Sequence, residues 1–246
     1  MKKRTLSRSL LTLALGMSLA AAGAFAAFAD PLGLSYINGQ NVTSRFGSFE
    51  LSVPSEYKVD RSGASSALSG ELVAGLVENG GKVDFAASMV DETNKSYIIN
   101  TALVMPADDG SGQPFSVAAL KAELAESGLD PENTESGTVR LGAADYEYLK
   151  VNYGKMMADS MRRQLESGRL SEKQKAQAQT FINQMEKMLV NDFYIRNTGD
   201  QIYVLCQTYS SDQVQRAAAF LSLLKPYTGV EGWYKNGENW QYKKAD

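Results

Sequence analysis

The chain has 246 residues, with 25 Lys and Arg against 28 Asp and Glu, a single Cys and no His. Without His there is no Ser-His or Cys-His nucleophile pair, no imidazole proton shuttle and no His-containing metal set. The lone Cys206 excludes an intrachain disulfide, so stability must come from a buried core, for which the length is ample.

Lys2, Lys3, Arg4 and Arg8 precede an apolar run from Leu10 to Ala22, followed by the small-x-small sites Ala24-Phe25-Ala26 and Ala27-Phe28-Ala29. The run is short for a membrane span, and the order of basic, apolar and small residues is that of a secretory signal peptide. Cleavage is expected after Ala29, which makes 1–29 the signal peptide and the product secreted or cell-surface associated. The competing reading is an uncleaved anchor. No Cys stands near the site for lipid attachment. Removing those four cations from 25 leaves 21 against 28 acids, so the net charge moves from −3 to −7. Phosphate contacts need clustered cations, so nucleic acid is a poor partner for such a chain. No later stretch has the length of a transmembrane helix.

Phe49, Leu51 and Val53 alternate with Ser48, Glu50 and Ser52, which predicts a strand stopped by Pro54. A short helix is expected over 65–77, ended by Asn79-Gly80-Gly81. Val83 to Val90 and Tyr97 to Met105 read as a hairpin around a polar turn at 91–95. Ser116 caps a helix carrying Ala119, Leu120 and Leu124, closed by Gly128. Thr138 to Leu141 and Tyr146 to Tyr153 form a second strand pair around Gly142. Tyr194 to Arg196 and Ile202 to Tyr209 form a third. A last helix begins near Ser211 and Asp212, presents Ala217, Phe220, Leu221 and Leu224, and ends at Lys225-Pro226.

The segment 155–189 carries no strand pattern and reads as an inserted helical hairpin. Met157, Met161 and Leu165 recur at helical spacing, Gly168 interrupts, and Ser171-Glu172-Lys173-Gln174 is a capping box. Ala178, Phe181, Ile182, Met185, Met188 and Leu189 then repeat. Flexible thioethers suit adaptable binding surfaces and also fill cores. Packing is the simpler reading of the stripe. Cys206 lies in the β-rich run Ile202-Tyr203-Val204-Leu205-Cys206 and reads as a small buried hydrophobe. The strand tyrosines Tyr146, Tyr148, Tyr153, Tyr194, Tyr203 and Tyr209 follow β propensity and read as packing rather than sugar stacking.

This order predicts an α+β fold, an antiparallel sheet flanked by helices with the hairpin inserted. It resembles the PsbP/Mog1-like fold over residues 45–226. The resemblance rests on Phe49-Glu50-Leu51-Ser52-Val53-Pro54 and on the late hairpin leading into Phe220-Leu221-Ser222-Leu223-Leu224. The 155–189 segment departs from that family's compact pattern. The resemblance implies a binding or assembly-accessory domain over 30–228 and carries over no catalytic residue. The tail at 229–246 contains Gly232-Trp233-Tyr234-Lys235-Asn236-Gly237-Glu238-Asn239-Trp240-Gln241-Tyr242, which resembles one choline-binding or glucan-binding cell-wall repeat. Asn236-Gly237 suits a tight turn. The resemblance implies Trp233, Trp240 and Tyr242 as ligand contacts, through aromatic faces that attract a quaternary ammonium. Sites in that family form between successive repeats, and one repeat is present. A structural hairpin, a partial wall-binding unit and a flexible end are the three readings.

Few residues suggest chemistry. Ser55-Glu56-Tyr57-Lys58 matches Ser-x-x-Lys, but that chemistry places Ser at a helix start, and here the motif follows Pro54 at a strand end. Asp108-Asp109-Gly110 lacks the spaced oxygen ligands of a calcium loop. Alternation puts Asp145 and Glu147 on one strand face and Tyr146 on the other. Asn41-Val42-Thr43 and Asn94-Lys95-Ser96 are formal glycosylation triplets. The reading is a non-catalytic binding or accessory protein of the bacterial cell envelope or extracellular space. Its expected partner is a wall polymer or an envelope protein, with no catalytic residue, metal or cofactor. The alternatives are a hydrolase of envelope polymers, which needs two converging acids, and an apolar-ligand carrier, which needs an enclosed pocket between the Met-rich helices.

Overall fold

The computed structural model describes residues 34–61, 81–91, 93, 96–107, 115–126, 134–166, 172–185, 189–199, 201–227, 232–236 and 239–243. The expected signal peptide, the helix over 65–77, the 108–110 loop, the Gly128 helix end and Ser171 of the capping box lie outside them. In chain order the strands are β1 (Tyr36–Asn38), β2 (Asn41–Ser44), β3 (Phe49–Ser52), β4 (Lys58–Asp60), β5 (Lys82–Asp91), β6 (Ser96–Pro106), β7 (Glu135–Leu141) and β8 (Ala144–Asn152). They continue with β9 (Leu189–Asn197), β10 (Gln201–Ser210), β11 (Lys225–Pro226), β12 (Gly232–Asn236) and β13 (Asn239–Lys243). The helices are α1 (Val117–Glu126), α2 (Tyr153–Glu166), α3 (Glu172–Met185) and α4 (Val214–Ser222).

The architecture is α+β. A seven-stranded antiparallel sheet runs β4-β5-β6-β10-β9-β8-β7, and a four-stranded sheet runs β1-β2-β3-β11. Two meanders meet where β6 pairs β10. Those central strands are buried along almost their whole length, which requires a layer on each side. On one side the small sheet and α4 supply Val42, Phe49, Leu51, Ala217 and Phe220 to a core with Phe85, Tyr146, Tyr203 and Leu205. Phe49 meets Phe85 and Tyr203 edge-on, with ring centroids 6.2 and 6.1 Å apart. On the other side α1 and α2 bring Leu120, Leu124, Tyr153 and Met156 onto Leu149, Phe193 and Val204.

Local sequence explains most elements. In β3, Phe49 and Leu51 are buried while Ser52 faces solvent. Ser116 Oγ accepts from the Ala119 amide at 3.2 Å, the expected cap of α1. Gly142 turns β7 into β8 at φ +58. Two expectations are corrected. The second hairpin helix does not reach Leu189, where β9 begins. Asn191 and Asp192 interrupt the apolar alternation of that strand, so the helical spacing before it reads on too far. The first hairpin helix, α2, packs through Met156, while Met157, Met161 and Leu165 are only half-buried. α2 starts at Tyr153 directly from the end of β8, and that junction fixes which side of the helix turns toward the sheet. In α3, Ile182 is buried and Phe181 is 51 % exposed. Among the described residues, no helix is long and apolar enough to cross a membrane.

Candidate functional site

The tail forms the expected hairpin. β12 pairs β13 antiparallel, with Trp233 opposite Tyr242, Lys235 opposite Trp240, and Asn236 opposite Asn239. Directly opposed positions lie on the same face of an antiparallel pair, and alternate positions return to that face. Trp233, Lys235, Trp240 and Tyr242 therefore occupy one face of the hairpin, with Tyr234 and Gln241 on the other. The sequence named the three aromatic positions; the register shows that they share a side.

The other sequence candidates do not converge. Ser55 lies in a turn and Lys58 opens β4, with Nζ 3.4 Å from Asp60. No helix places that Lys one turn after the Ser. Asp145 and Glu147 are exposed and Tyr146 is buried, as alternation predicts, and Asp145 pairs with Arg140 at 3.1 Å. Cys206 is buried beside Asn191 Nδ2 and Thr208 Oγ1, each at 3.8 Å. Burial pushes its thiol up to about 11, so it is not a thiolate at neutral pH. Tyr146 and Tyr203 have no exposure and serve the core. An open polar concavity of about 410 Å³ is lined by Asp91, Ser96, Asp212, Gln213, Gln215 and Arg216. Its lining is hydrophilic, unlike the apolar pocket a carrier needs.

Two buried carboxylates escaped the sequence reading. Asp84 sits at the bulge between Val83 and Phe85 in β5 and has no exposure. It accepts from Tyr203 Oη at 2.8 Å, from Ser44 Oγ at 3.1 Å, and from both the amide and the hydroxyl of Ser35. These donors tie the start of the described chain and β2 to the large sheet.

Asp192 is the more unusual group. Register sets Glu135 opposite Lys150, Lys150 opposite Asp192, Asp192 opposite Gln207, and Gln207 opposite Asn100. Opposed positions share a face, so these five polar residues form one rung from the exposed β7 edge into the core. Exposure falls along it: the Glu135 side chain is 61 % exposed and Lys150 40 %, Asp192 is 4 % and Gln207 and Asn100 are 0 %. Lys150 Nζ donates to Glu135 Oε1 at 3.1 Å and lies 5.3 Å from the centre of the Tyr148 ring. Tyr148 donates to the same oxygen at 3.0 Å. Those hydrogen bonds hold the Glu135 carboxyl below its ordinary value. Asp192 Oδ2 accepts from Tyr209 at 2.9 Å and from Tyr194 at 3.5 Å. Its Oδ1 is buried with no partner, and so is Gln207 Oε1. Burial is the main reason the Asp192 carboxyl is pushed up to about 6, opposed by the Tyr209 hydrogen bond and by the charge of Lys150. An Asp inside a buried strand run was the sequence signal for this group. Among the described residues no cluster of three or more Cys, Asp or Glu could hold a metal ion. No family model matches the chain, and neither a curated protein nor a solved structure matches it.

Proposed function

We propose that the chain is an exported, non-catalytic binding or accessory protein of the bacterial cell envelope or extracellular space, and that its tail hairpin engages a wall polymer. The carrying observation is the tail register, which sets Trp233, Trp240 and Tyr242 with Lys235 on one face. Aromatic positions gathered on one side offer π-faces to a sugar ring or to an ammonium substituent. The large domain supports binding over chemistry in two ways. Layers cover both sides of the central strands of the seven-stranded sheet. The buried Asp192 oxygen is out of contact with solvent, so a polymer substrate does not reach it, while Glu135, Asp145 and Asp159 lie beside Lys150, Arg140 and Arg162.

Removal of residues 230–246 should abolish retention on purified bacterial cell walls, and the double substitution Trp233→Ala with Trp240→Ala should reduce it at least tenfold. The measurement is the bound fraction after co-sedimentation. Retention equal to that of the full chain in both variants rules out the tail as the wall-binding element.

A further inference from the structure

We propose that Asp192 is a proton-operated latch: the protonated carboxyl donates from Oδ1 to Gln207 Oε1, and the ionised carboxylate instead draws Lys150 away from Glu135. The argument starts from the two orphaned oxygens. Asp192 Oδ1 and Gln207 Oε1 belong to residues directly opposed on β9 and β10, and both are buried and without partners. Buried polar atoms in folded chains are almost always paired. Two acceptors on opposed residues of one sheet face cannot pair with each other, but one proton shared between them satisfies both.

The Gln207 amide cannot supply that hydrogen by turning over. Its Nε2 donates to Asn100 Oδ1 at 2.6 Å and to the Ala217 carbonyl of α4 at 3.1 Å. Asn100 in turn spends Nδ2 on the Ala87 carbonyl at 3.3 Å, which fixes its Oδ1 as the acceptor. Flipping Gln207 would set Oε1 against two acceptors. The missing donor therefore comes from Asp192. Oδ2 is already served by Tyr209 and Tyr194, which leaves Oδ1 as the oxygen that carries the proton. Burial pushes both tyrosine hydroxyls up, so they remain donors.

Ionisation reverses the preferences of the rung. The titratable groups around the Asp192 carboxyl are Tyr194 on its own strand, Tyr209 on β10, Lys150 and Tyr148 on β8, and Glu135 on β7. Lys150 is the cation of this set. It is directly opposed to Asp192, yet in the structure it pairs with Glu135. An ionised, buried Asp192 with an empty oxygen would be an unpaired buried charge. Drawing in that ammonium relieves it, because water screens the Asp192 pair less than the exposed Glu135 pair and the gain offsets the desolvation of Lys150. The raised Asp192 carboxyl, near 6, sets the pH at which the change occurs. Below it the β7 edge presents a closed Glu135–Lys150–Tyr148 group. Above it that edge presents a Glu135 carboxylate held by Tyr148 alone and a bare ring face. The latch thus alters the surface at the β7 edge between acidic and neutral surroundings.

Carboxyl-carbon NMR titration of the folded chain tests this. Asp192 should titrate near pH 6, and Glu135 should show a second inflection at the same pH as it loses Lys150. Gln207→Met removes the acceptor of the neutral form and should lower the Asp192 midpoint by at least half a pH unit. Lys150→Met should raise that midpoint and erase the second Glu135 inflection. An Asp192 midpoint near 4, or a midpoint that Gln207→Met leaves unchanged or raises, overturns the latch. If Gln207→Met does not fold, Asp192→Asn and Asp192→Leu decide. Asn keeps a donor toward Gln207 Oε1 and should match the wild-type midpoint of urea unfolding below pH 4, whereas Leu should fall below it. Equal midpoints for the two variants overturn the proposal.

Discussion

Asp84 is a fully buried carboxylate held by hydroxyl and amide donors, with Tyr203, Ser44 and Ser35 filling its oxygens. Arg61 reaches the carbonyl of Ser35, a step removed from the carboxylate. Removing the carboxylate would leave several buried donors without an acceptor, each at a cost of about 1–3 kcal/mol. Ser44 Oγ keeps a 3.0 Å bond to Tyr203 Oη, so the losses do not simply add. Asp84→Ala is expected to lower unfolding stability by on the order of 3 kcal/mol, measured by urea denaturation. A loss below about 1 kcal/mol would mean that the cluster is not a structural tie. The sequence gives little warning of this group, since Val83-Asp84-Phe85 reads as an ordinary alternating strand and the bulge that buries Asp84 exists only once β5 pairs β6.

At the scale of elements, the turns were the most legible features and the short strands the least. The Gly142 turn and the Ser116 cap follow from single residues and their backbone demands. β1 and β2 were missed because they are short and polar, although Asn38-Gly39, with Gly39 at φ +57, is a hairpin signal. β11 is two residues long and exists because Lys225 and Pro226 pair with β3. Two glycines with nearly equal φ separate local strain from packing. At Gly39 an added Cβ meets nothing within 4 Å, whereas at Gly142 it would lie 2.5 Å from the Ser48 carbonyl. Gly39→Ala should therefore cost about 1 kcal/mol, the left-handed penalty alone. Gly142→Ala should cost roughly twice that or more, because the β7–β8 turn must also move off Ser48. Equal changes in thermal midpoint for the two variants would show that the contact between this turn and the small sheet does not matter.

For the whole molecule, the fold couples stability to pH through Asp192. Its folded carboxyl titrates near 6 against an ordinary 3.8. The folded state therefore binds this proton more tightly than the unfolded chain does. The stability it contributes is fully present below about pH 4 and is lost as pH rises through 6, by about 3 kcal/mol once the group is ionised in both states. Glu135 and Asp212 are shifted the other way and contribute stability that is lost as pH falls. The difference between the wild type and Asp192→Asn isolates the one group. The wild type should lose stability relative to that variant between pH 4 and pH 7 in urea unfolding, and parallel curves would contradict the shift. Composition, the alternation of apolar residues and the turn residues were enough to determine an α+β chain with antiparallel pairs, the inserted helices and an aromatic tail, because period and turn chemistry are local. They could not determine the row from Glu135 through Lys150, Asp192 and Gln207 to Asn100. Strand register sets which distant residues stand opposite one another, and the layers packed on the sheet decide which of them lose water and so which carboxyl holds its proton to a higher pH.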